Sequence, residues 1–242
     1  MTRRTVLITG AAHRIGAAIA RDLHAHGMDI VIHYHSSAGL ARELVDSLNA
    51  DRSGSAFLIQ ADLTGDIDFD AVVKEVLACT GSLHVLINNA SQFYPTPLGA
   101  TTREQWREIM DTNMAAPFFL SQACAPSLRE TGGCIINMTD IYGSMPLMNY
   151  AVYSAAKAGL IMLTRALSRE LAPQIRVNAI SPGSVLWPEG MDDAAKAAIL
   201  KRVSLGRQGT TLDIANGVRF LILDADYMTG QVLNIDGGRT LC

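Results

Sequence analysis

Cysteine is scarce in this sequence, and long hydrophobic runs are missing. Its 242 residues include four cysteines, which show no CxxC or His–Cys spacing of the kind that binds zinc or builds a disulfide framework. No apolar run reaches the ~18 residues that a membrane span requires. We therefore expect a cytoplasmic protein without a metal site or a membrane partner. Three cysteines are predicted to lie in the core or on helices and the last in an exposed tail, namely Cys79, Cys124, Cys134 and Cys242.

An excess of positive charge is also lacking. Lysine and arginine number 20 against 23 acidic residues, the net charge is −3, and the basic residues are spread along the chain, so nothing indicates a nucleic-acid partner. The N-terminal MTRRTVLITGAA has a hydrophobic stretch that is too short for a secretory signal and is typical of a first β-strand. With 49% hydrophobic residues, the chain can form one large domain with a well-buried core.

Strand-like and helix-like segments alternate along the whole chain. This alternation predicts an α/β fold with a parallel sheet covered by helices on both faces, and no linker divides residues 1–242 into smaller domains. The predicted strands are Val6–Thr9, Asp29–His35, Ala56–Gln60, Val85–Ile87, Cys134–Met138, Ile175–Ile180 and Val232–Ile235. The predicted helices include Ala38–Ala50, Asp68–Cys79, Trp106–Leu128, Tyr150–Leu171, Met191–Val203 and Leu212–Leu223.

A glycine-containing turn follows the first predicted strand. It has the pattern TGxxxRxG, with Arg14 where the usual GxGxxG pattern often has its middle glycine. Such a turn presents backbone N–H groups and the positive end of a helix to a phosphate, and Arg14 adds a cation. We predict that Gly10, Arg14, Ile15 and Gly16 bind the phosphates of a dinucleotide. The alternative is that the glycines only make the turn.

The end of the second predicted strand carries no acidic residue. An Asp or Glu there would bind the ribose 2′-hydroxyl of NAD. Its absence leaves room for a 2′-phosphate, hydrogen-bonded by a serine or a protonated histidine, and favours NADPH. The alternative for each histidine is an ordinary solvated side chain at a strand end. The residues assigned to this contact are His33, Tyr34, His35, Ser36 and Ser37.

Three more segments follow predicted strands at the carboxyl edge of the sheet, where open α/β sheets bind ligands. The aspartate after the third strand would touch adenine or cap the next helix. The asparagine after the fourth strand would brace the cofactor or form an ordinary turn. The backbone after the sixth strand would meet the nicotinamide amide. The residues concerned are Asp62, Leu63, Asn89, Ala90, Pro182, Gly183 and Ser184.

Two segments are candidates for the substrate site. Ser91 and Phe93 lie in a loop stiffened by two prolines, and the Phe93 ring would stack on a flat substrate or plug the core. Residues 184–206 contain a short helix and are predicted to form a substrate loop that acts as a lid. The alternative is a fixed packing element.

The stretch TDIYGSMPLMNYAVYSAAK carries the candidate catalytic groups. Tyr153 and Lys157 are four residues apart, so a helix places them on one face, and the ammonium is expected to lower the pKa of the phenol. Asp140 lies thirteen residues before Tyr153. Earlier in the chain, Asn113 and Pro117 predict a bent helix whose freed Asn113 carbonyl holds a water next to Lys157.

Together these motifs resemble the classical short-chain dehydrogenase/reductases over essentially the full length. TGxxxRxG, NNA, Asn113, YxxxK, an SPG turn and a late DGG occur in the family's order and at its distances. The resemblance implies a Rossmann-type, doubly wound sheet of about seven parallel strands. It also implies a tyrosine acid, a lysine that binds the nicotinamide ribose, and a homo-tetramer or dimer.

Within that family, the sequence is most similar to the pteridine reductases, which include dihydromonapterin reductases. Arg14, the segment HYH that ends the second strand, Phe93 in NNASQFYPTPL, and Asp140 where the wider family generally has serine carry this likeness. An ionised aspartate cannot donate a hydrogen bond to a ketone oxygen, but it suits a C=N substrate with ring N–H groups. The resemblance implies that Asp140 aids proton relay through Tyr153, that Phe93 stacks on the pterin, and that Arg14 contacts pyrophosphate and pterin. Ser36 departs from the arginine found near this strand end in parasite enzymes.

These observations predict an NADPH-dependent reductase of pterins, acting on a dihydropterin or on dihydrofolate. The catalytic residues would be Asp140, Tyr153, Lys157 and Asn113, and the substrate would also contact Arg14, Ser91 and Phe93. One alternative is a carbonyl reductase of the same family that acts on a 3-oxoacyl thioester or another ketone. A second alternative is a non-catalytic NADP-binding sensor.

Overall fold

The structure is a computed structural model that describes residues 3–188 and 190–241. Within those residues it has seven β-strands: Thr5–Ile8 (β1), Asp29–Tyr34 (β2), Ala56–Gln60 (β3), Val85–Asn88 (β4), Cys134–Met138 (β5), Arg176–Pro182 (β6) and Val232–Ile235 (β7). Its α-helices there are Arg14–Ala25 (α1), Ala38–Asp51 (α2), Phe69–Thr80 (α3), Arg103–Met110 (α4), Ala116–Thr131 (α5), Ala151–Glu170 (α6), Asp193–Leu200 (α7) and Thr211–Leu223 (α8).

The strands form one sheet in the order β3-β2-β1-β4-β5-β6-β7, and every neighbouring pair is parallel. The chain winds outwards in one direction from β1 to β3 and in the other from β4 to β7. The switch between the two directions lies between β1 and β4, and a crevice at such a point is where open α/β sheets bind ligands. The predicted single-domain, Rossmann-type doubly wound fold is therefore confirmed.

Helices cover both faces of the sheet because alternate strand residues are apolar on each side. On one face Val6, Ile30 and Val85 pack against α1, α2 and α8. On the other face Leu7 and Leu86 pack against α3, α5 and α6. A sheet that is buried on both faces needs such near-continuous hydrophobic strands, which explains why they are short runs of Val, Ile and Leu.

The helical stretch that the sequence predicts as continuous from Trp106 is interrupted. A π-helical turn, Asp111–Ala115, separates α4 from α5. Pro117 follows it and has no N–H to donate to the carbonyl of Asn113 four residues earlier, so a regular α-helical hydrogen bond is impossible there. The predicted irregularity is present, but as a π-helical turn, a form that occurs often at functional sites.

The cysteines are placed much as the composition suggests. Cys79 is exposed on α3, whereas Cys124 and Cys134 are buried, and burial raises the pKa of the Cys134 thiol to about 11. The prediction for Cys242 falls outside the described residues. In residues 3–188 and 190–241, no helix has the length and apolar character to cross a membrane, and no group of His, Cys, Asp and Glu could hold a metal ion.

Candidate active site

Asp140 and Tyr153 meet at the carboxyl edge of the sheet. Asp140 is the second residue after the end of β5, and Tyr153 projects from the first turn of α6. The Tyr153 hydroxyl donates a hydrogen bond of 2.9 Å to Asp140 Oδ2. The other carboxylate oxygen, Oδ1, accepts the backbone N–H of Tyr142 at 2.9 Å and so begins the 3₁₀ turn Ile141–Gly143. The pair is thus fixed from both sides.

Burial and the neighbouring carboxylate govern the acidity of Tyr153. The pKa of the phenol is raised well above its usual value, first because the phenol is buried and then because the Asp140 charge and hydrogen bond favour the protonated form. The prediction that Lys157 lowers this pKa is therefore wrong for the structure as it stands. The carboxylate is a direct hydrogen-bond partner of the phenol, whereas the ammonium is not.

Lys157 is buried one turn further along α6. Its Nζ donates a hydrogen bond of 2.9 Å to the carbonyl oxygen of Met138 and lies 5.6 Å from the centre of the Tyr153 ring. Burial lowers the pKa of this lysine to about 8, although the nearby Asp140 acts in the opposite direction. Lys157 is held within the site, at the end of β5, where its remaining N–H groups can face a ligand.

The Asp140 carboxyl is itself pushed towards its protonated form. Burial raises its pKa, while the Tyr142 amide, the Tyr153 hydroxyl and the Lys157 charge oppose the rise. Both members of the Asp140–Tyr153 pair therefore bind protons more tightly than in water. Such a pair can hold a proton at the site and deliver it to a basic atom of a bound molecule.

Asn113 joins the π-helical turn to the loop after β4. Its side-chain nitrogen donates to the carbonyl oxygens of Gln92 (2.9 Å) and Ile109 (3.0 Å), and its oxygen accepts the hydroxyl of Ser91 at 2.7 Å. The π-helical turn also touches α6, because Gly159 lies against Met114 where a Cβ would clash. The side chain of Asn113 therefore positions the loop that carries Ser91 and Phe93.

Three aromatic rings form the wall of the site. Phe93 stacks on Tyr150 with 4.5 Å between ring centres, and its edge contact with Tyr153 has a centre distance of 4.8 Å. Phe93 remains 41% exposed, so it does not plug the core as the alternative would require. Tyr150 was missed by the sequence reasoning, although its spacing of three residues from Tyr153 places it on the same helical face.

The first β–α turn is tightly packed and leaves the start of α1 uncapped. Gly10 adopts a positive φ of 60°, and a Cβ there would lie 2.9 Å from Ala90 Cα. A Cβ on Gly16 would lie 2.7 Å from the Asn89 amide nitrogen. Arg14 also has a positive φ, of 55°, and is exposed where the chain enters α1. His13 precedes the helix without capping it, and Ile15 is partly buried in the first turn.

His33, in β2, supports the turn between β1 and α1. The ring is buried, its Nδ1 accepts the backbone N–H of Gly10 at 3.1 Å, and its Nε2 lies 3.1 Å from the carbonyl oxygen of Ala61. Burial lowers the pKa of His33 to about 4. His33 is thus a neutral imidazole that ties the end of β1 to the end of β3. The prediction that it binds a 2′-phosphate as a protonated histidine is wrong, because burial disfavours the charge.

The other residues at the end of β2 are distributed between core and surface. Tyr34 is buried, with its hydroxyl 3.5 Å from the side-chain oxygen of Gln60. His35 is exposed and lies 3.7 Å from the Asp62 carboxylate. Asp62 also accepts hydrogen bonds from Thr64, and this contact holds its pKa below the usual value. The neighbouring residues are Ser36 and Ser37, which are accessible to solvent, and Leu63, which is buried.

The segments after β4 and β6 close the edge. Asn89 donates from its side chain to the carbonyl oxygen of Thr9 (2.8 Å), and the Ala90 N–H donates to the Thr9 hydroxyl (2.9 Å). On the other side, Pro182 ends β6 and the Gly183 N–H donates to Ile235 at 3.0 Å. Ser184 follows and is partly exposed. The sequence placed the end of β6 two residues too early, since Ser181 and Pro182 still pair with β7.

The start of the predicted substrate loop is hydrogen-bonded to the residues that follow its end. Gly209 donates its backbone N–H to the Ser184 carbonyl at 3.0 Å, and the Gln208 side chain donates to the Val185 carbonyl at 2.7 Å. Between these anchors, α7 has no fully buried residue among those described. An anchored base with an exposed helix is compatible with a lid.

Comparisons with known proteins identify the family. A family model described as enoyl-(acyl carrier protein) reductase matches residues 10–240, nearly the whole chain. The chain belongs to the short-chain dehydrogenase/reductases. It is an oxidoreductase of a family whose members use NAD(P)H.

Three relatives of this short-chain dehydrogenase/reductase span different activities. The 3-oxoacyl-(acyl-carrier-protein) reductase of Staphylococcus aureus is 36% identical over 240 residues, covering 97% of each chain. Pteridine reductase 1 of Leishmania tarentolae is 35% identical over 281 aligned positions, covering 99% of this chain and 97% of the relative. The 3beta-hydroxysteroid dehydrogenase 1 of Eggerthella lenta is 34% identical over 249 residues, covering 98% and 94%. Overall identity therefore does not distinguish the ketone-reducing relative from the pteridine reductase.

The short-chain dehydrogenase/reductase fold fits a nicotinamide dinucleotide here. The start of α1 lacks both a side-chain cap and an acidic residue in its first turn, so its N–H groups remain available to a phosphate. Gly10 and Gly16 allow the turn to lie against Ala90 and Asn89. These features converge on the switch point between β1 and β4.

Proposed function

We propose that this oxidoreductase is an NADPH-dependent reductase of pterins, converting a dihydropterin, or dihydrofolate, to the tetrahydro form. The observation that carries the proposal is the 2.9 Å hydrogen bond from Tyr153 to Asp140. A carboxylate beside the acid tyrosine accepts hydrogen bonds and does not donate them when ionised. It would repel the negative charge that develops on a ketone oxygen, whereas it is compatible with a ring nitrogen that takes up a proton.

The chain's own residues would manage the proton. Bound NADPH supplies a hydride to the ring carbon of a C=N bond. Tyr153 donates its proton to the adjacent ring nitrogen, and Asp140, which is ionised during the hydride transfer, then takes up a proton from solvent and returns it to the Tyr153 oxygen. The raised pKa of Asp140 supports this order, because it makes the carboxylate easier to protonate at a given pH.

Lys157 and Asn113 would position these groups. Lys157 is fixed by the Met138 carbonyl and has further N–H groups for the ribose hydroxyls. Asn113 holds the loop of Ser91 through its side chain, while its backbone carbonyl lacks the usual partner at Pro117 and is suited to hold a relay water.

The preference for NADPH over NADH rests on the end of β2. No acidic residue occurs between His33 and Ser37, and Ser36 and Ser37 are accessible to solvent. A 2′-phosphate would meet hydroxyl groups rather than a carboxylate there. His35 adds a further hydrogen-bonding group, although its nearest charged neighbour is Asp62 at 3.7 Å.

Phe93 and Arg14 would shape the pterin site. The Phe93 ring is held at the mouth by Tyr150 and keeps an exposed surface for a flat heterocycle. Arg14 is exposed at the entry to α1, where its guanidinium can reach both a phosphate and a ring carbonyl. Residues 184–206 would close over the substrate.

We also propose that the protein assembles as a homo-tetramer or dimer. Large apolar side chains are exposed on three helices of the face opposite α1, with Trp106 49%, Phe119 46% and Met162 60% exposed. Side chains of this size on neighbouring helices are typical of a surface covered in an oligomer. Light scattering on the purified protein should give two or four times the mass of one chain.

A carbonyl reductase is the second candidate. The 36% identity to a 3-oxoacyl-(acyl-carrier-protein) reductase favours it, and the active-site tyrosine and lysine would serve it equally. Asp140 argues against it for the electrostatic reason given above. The two candidates therefore make opposite predictions for substitution of this one residue.

The test is NADPH oxidation with dihydrobiopterin, dihydrofolate and acetoacetyl thioester in parallel, with NADH in place of NADPH as the cofactor comparison. We expect pterin-dependent oxidation that falls about 100-fold in Asp140→Ser, within the range of general acid–base catalysis. Turnover of the thioester alone, retained or improved in Asp140→Ser, would establish the carbonyl reductase. Tight NADPH binding without turnover of either class would establish a non-catalytic sensor.

A further inference from the structure

Arg239 is a buried arginine that has no ionic partner among the described residues. It lies in the 3₁₀ turn Arg239–Leu241 after β7 and is only 5% exposed. Its Nε and Nη1 atoms are buried and have no hydrogen-bond partner in the part of the chain that the structure describes. It forms no ion pair with any residue of 3–188 or 190–241. An unpaired buried guanidinium is costly, so its presence requires an explanation such as a ligand.

The nearest acidic residue in the chain does not provide the missing partner. Asp236 accepts the N–H of Gly238 with Oδ1 at 2.9 Å. Its Oδ2 accepts the N–H and the hydroxyl of Thr240, at 2.9 and 2.8 Å. Both carboxylate oxygens are therefore engaged in closing the turn. Asp236 fixes the backbone that carries Arg239 and leaves the guanidinium uncompensated.

This turn is packed between the end of β6 and the substrate loop. Gly183 lies so close to Asp236 that a Cβ on Gly183 would approach Asp236 Cα at 2.6 Å. From the substrate loop, Leu205 donates its N–H to the Gly237 carbonyl at 3.0 Å, and the Ser204 hydroxyl donates to the Gly238 carbonyl at 3.2 Å. Arg239 is thus anchored where the proposed nicotinamide segment and the lid converge.

The charge of Arg239 acts on Tyr142. Burial and the Asp140 charge raise the pKa of Tyr142, and the charges of Arg239 and Arg202 act in the opposite direction. Tyr142 lies in the 3₁₀ turn that Asp140 begins, and it packs with Tyr153 in one cluster. Two arginines, the buried Arg239 and the exposed Arg202, therefore act on a tyrosine that neighbours Asp140 and Tyr153.

We propose that Arg239 binds an oxyanion on the substrate, a carboxylate or a phosphate carried on the substituent away from the reduced ring, and so determines substrate specificity. A desolvated guanidinium gains most from a full negative charge, which it can bind through two parallel N–H groups. The inference rests on the proposed pterin reductase function. It favours a pterin with an anionic substituent over one with a neutral polyol side chain.

The experiment compares Arg239→Met with the parent enzyme on three dihydropterins. Dihydrobiopterin has a neutral side chain, dihydrofolate carries carboxylates, and a phosphorylated dihydroneopterin carries a phosphate. The kcat/KM of each anionic substrate is divided by that of dihydrobiopterin. We expect at least one of the two ratios to fall tenfold or more in Arg239→Met, mainly through a higher KM, and to recover in part in Arg239→Lys. The substrate whose ratio falls identifies the oxyanion as carboxylate or phosphate.

Two controls separate this role from a structural one. Arg129→Met replaces an exposed arginine in the last turn of α5, at the opposite edge of the sheet, and should leave both ratios unchanged. Arg239→Gln keeps polar atoms but removes the charge, and provides the test if the methionine variant does not fold. Both ratios unchanged within threefold in a folded Arg239 variant would overturn the inference and leave the proposed function intact. A parent enzyme that reduces no pterin would overturn both.

Discussion

At the scale of single residues, the proposed chemistry depends on the contact between Asp140 and Tyr153. The phenol donates a hydrogen bond to a buried carboxylate, and it has no such contact with the Lys157 ammonium. Burial raises the pKa of both groups, so each is a weaker acid than in water; the adjacent carboxylate adds to the rise for Tyr153, whereas the hydrogen bond from Tyr153 opposes the rise for Asp140. The two groups therefore titrate as a coupled pair, and proton transfer to a substrate belongs to the pair rather than to Tyr153 alone.

Removing the phenol hydroxyl should abolish most turnover without affecting cofactor binding. In Tyr153→Phe the ring still fills its place beside Phe93, but the proton donor is lost. We expect kcat/KM for the pterin to fall about 10³-fold, near the middle of the range for general acid catalysis. The dissociation constant of NADPH, measured by fluorescence titration, should change by less than threefold. Retention of full turnover would exclude Tyr153 as the proton donor.

The raised pKa of Asp140 predicts the direction of the pH dependence. Asp140 must take up a proton to restore the Tyr153 hydroxyl after each turnover, so kcat with saturating pterin should fall as pH rises through the pKa of Asp140, which burial has moved above its usual value. In Asp140→Asn this limb should disappear, leaving a lower and flatter profile. The measurement is NADPH oxidation with saturating cofactor across the pH range of folded protein. An unchanged limb in the variant would assign the titration to another group.

At the scale of secondary-structure elements, the ends of β1, β2 and β3 are joined by His33. The imidazole bridges the Gly10 N–H and the Ala61 carbonyl, so the turn proposed to bind phosphate is supported by the neighbouring strand. On the substrate side, the π-helical turn performs a similar task through Asn113. In both places a buried polar side chain fixes a loop at the carboxyl edge.

The neutral state of His33 should make the stability of the protein sensitive to acid. Its folded-state pKa of about 4 lies below the usual 6.5, so the unfolded chain binds the extra proton first as the pH falls. The parent protein should lose about 3 kcal/mol of unfolding free energy relative to His33→Gln between pH 6.5 and 4. Urea unfolding at several pH values measures this difference. Parallel curves for the two proteins would show that His33 is not buried as a neutral ring.

At the scale of the whole molecule, the sheet holds the distant parts of the site together. Asp140 comes from β5, Lys157 from α6, the phosphate turn from β1 and Arg239 from the turn after β7. These segments meet because parallel strands end at a common edge. Gly183 is central to this arrangement, since it lets the end of β6 lie against Asp236.

A methyl group at Gly183 should disturb both stability and turnover. Its Cβ would approach the Asp236 backbone at 2.6 Å, and backbone cannot move aside as a flexible side chain would. We expect Gly183→Ala to lower the unfolding free energy by about 3 kcal/mol, at the upper end of typical overpacking costs. The matched control is Gly39→Ala in α2, where a Cβ meets nothing within 4 Å, so its stability should be unchanged or slightly higher. Equal stability of the two variants in thermal unfolding would contradict the packing of β6 on the turn after β7.

The sequence by itself determined the fold and the chemical types present. Alternating apolar strands and amphipathic helices allow only a few topologies, and the glycine turn, Asp140, Tyr153 and Lys157 have spacings that the family shares. These are local properties of the chain, and local spacing is sufficient to predict them. The same reasoning predicted the irregular helix around Asn113 and Pro117, because proline lacks an N–H.

Only the tertiary structure decided the electrostatics and the partners of the side chains. Burial made His33 a neutral support rather than a phosphate ligand, and the fold placed the Tyr153 hydroxyl in hydrogen-bond contact with Asp140 rather than with Lys157. The tertiary structure also buried two nitrogen atoms of Arg239 without a hydrogen-bond partner among residues 3–188 and 190–241, in a turn that contacts a loop some 35 residues earlier in the chain. Desolvation and contacts between residues far apart in sequence determine these properties, and neither can be read from the spacing of residues along the chain.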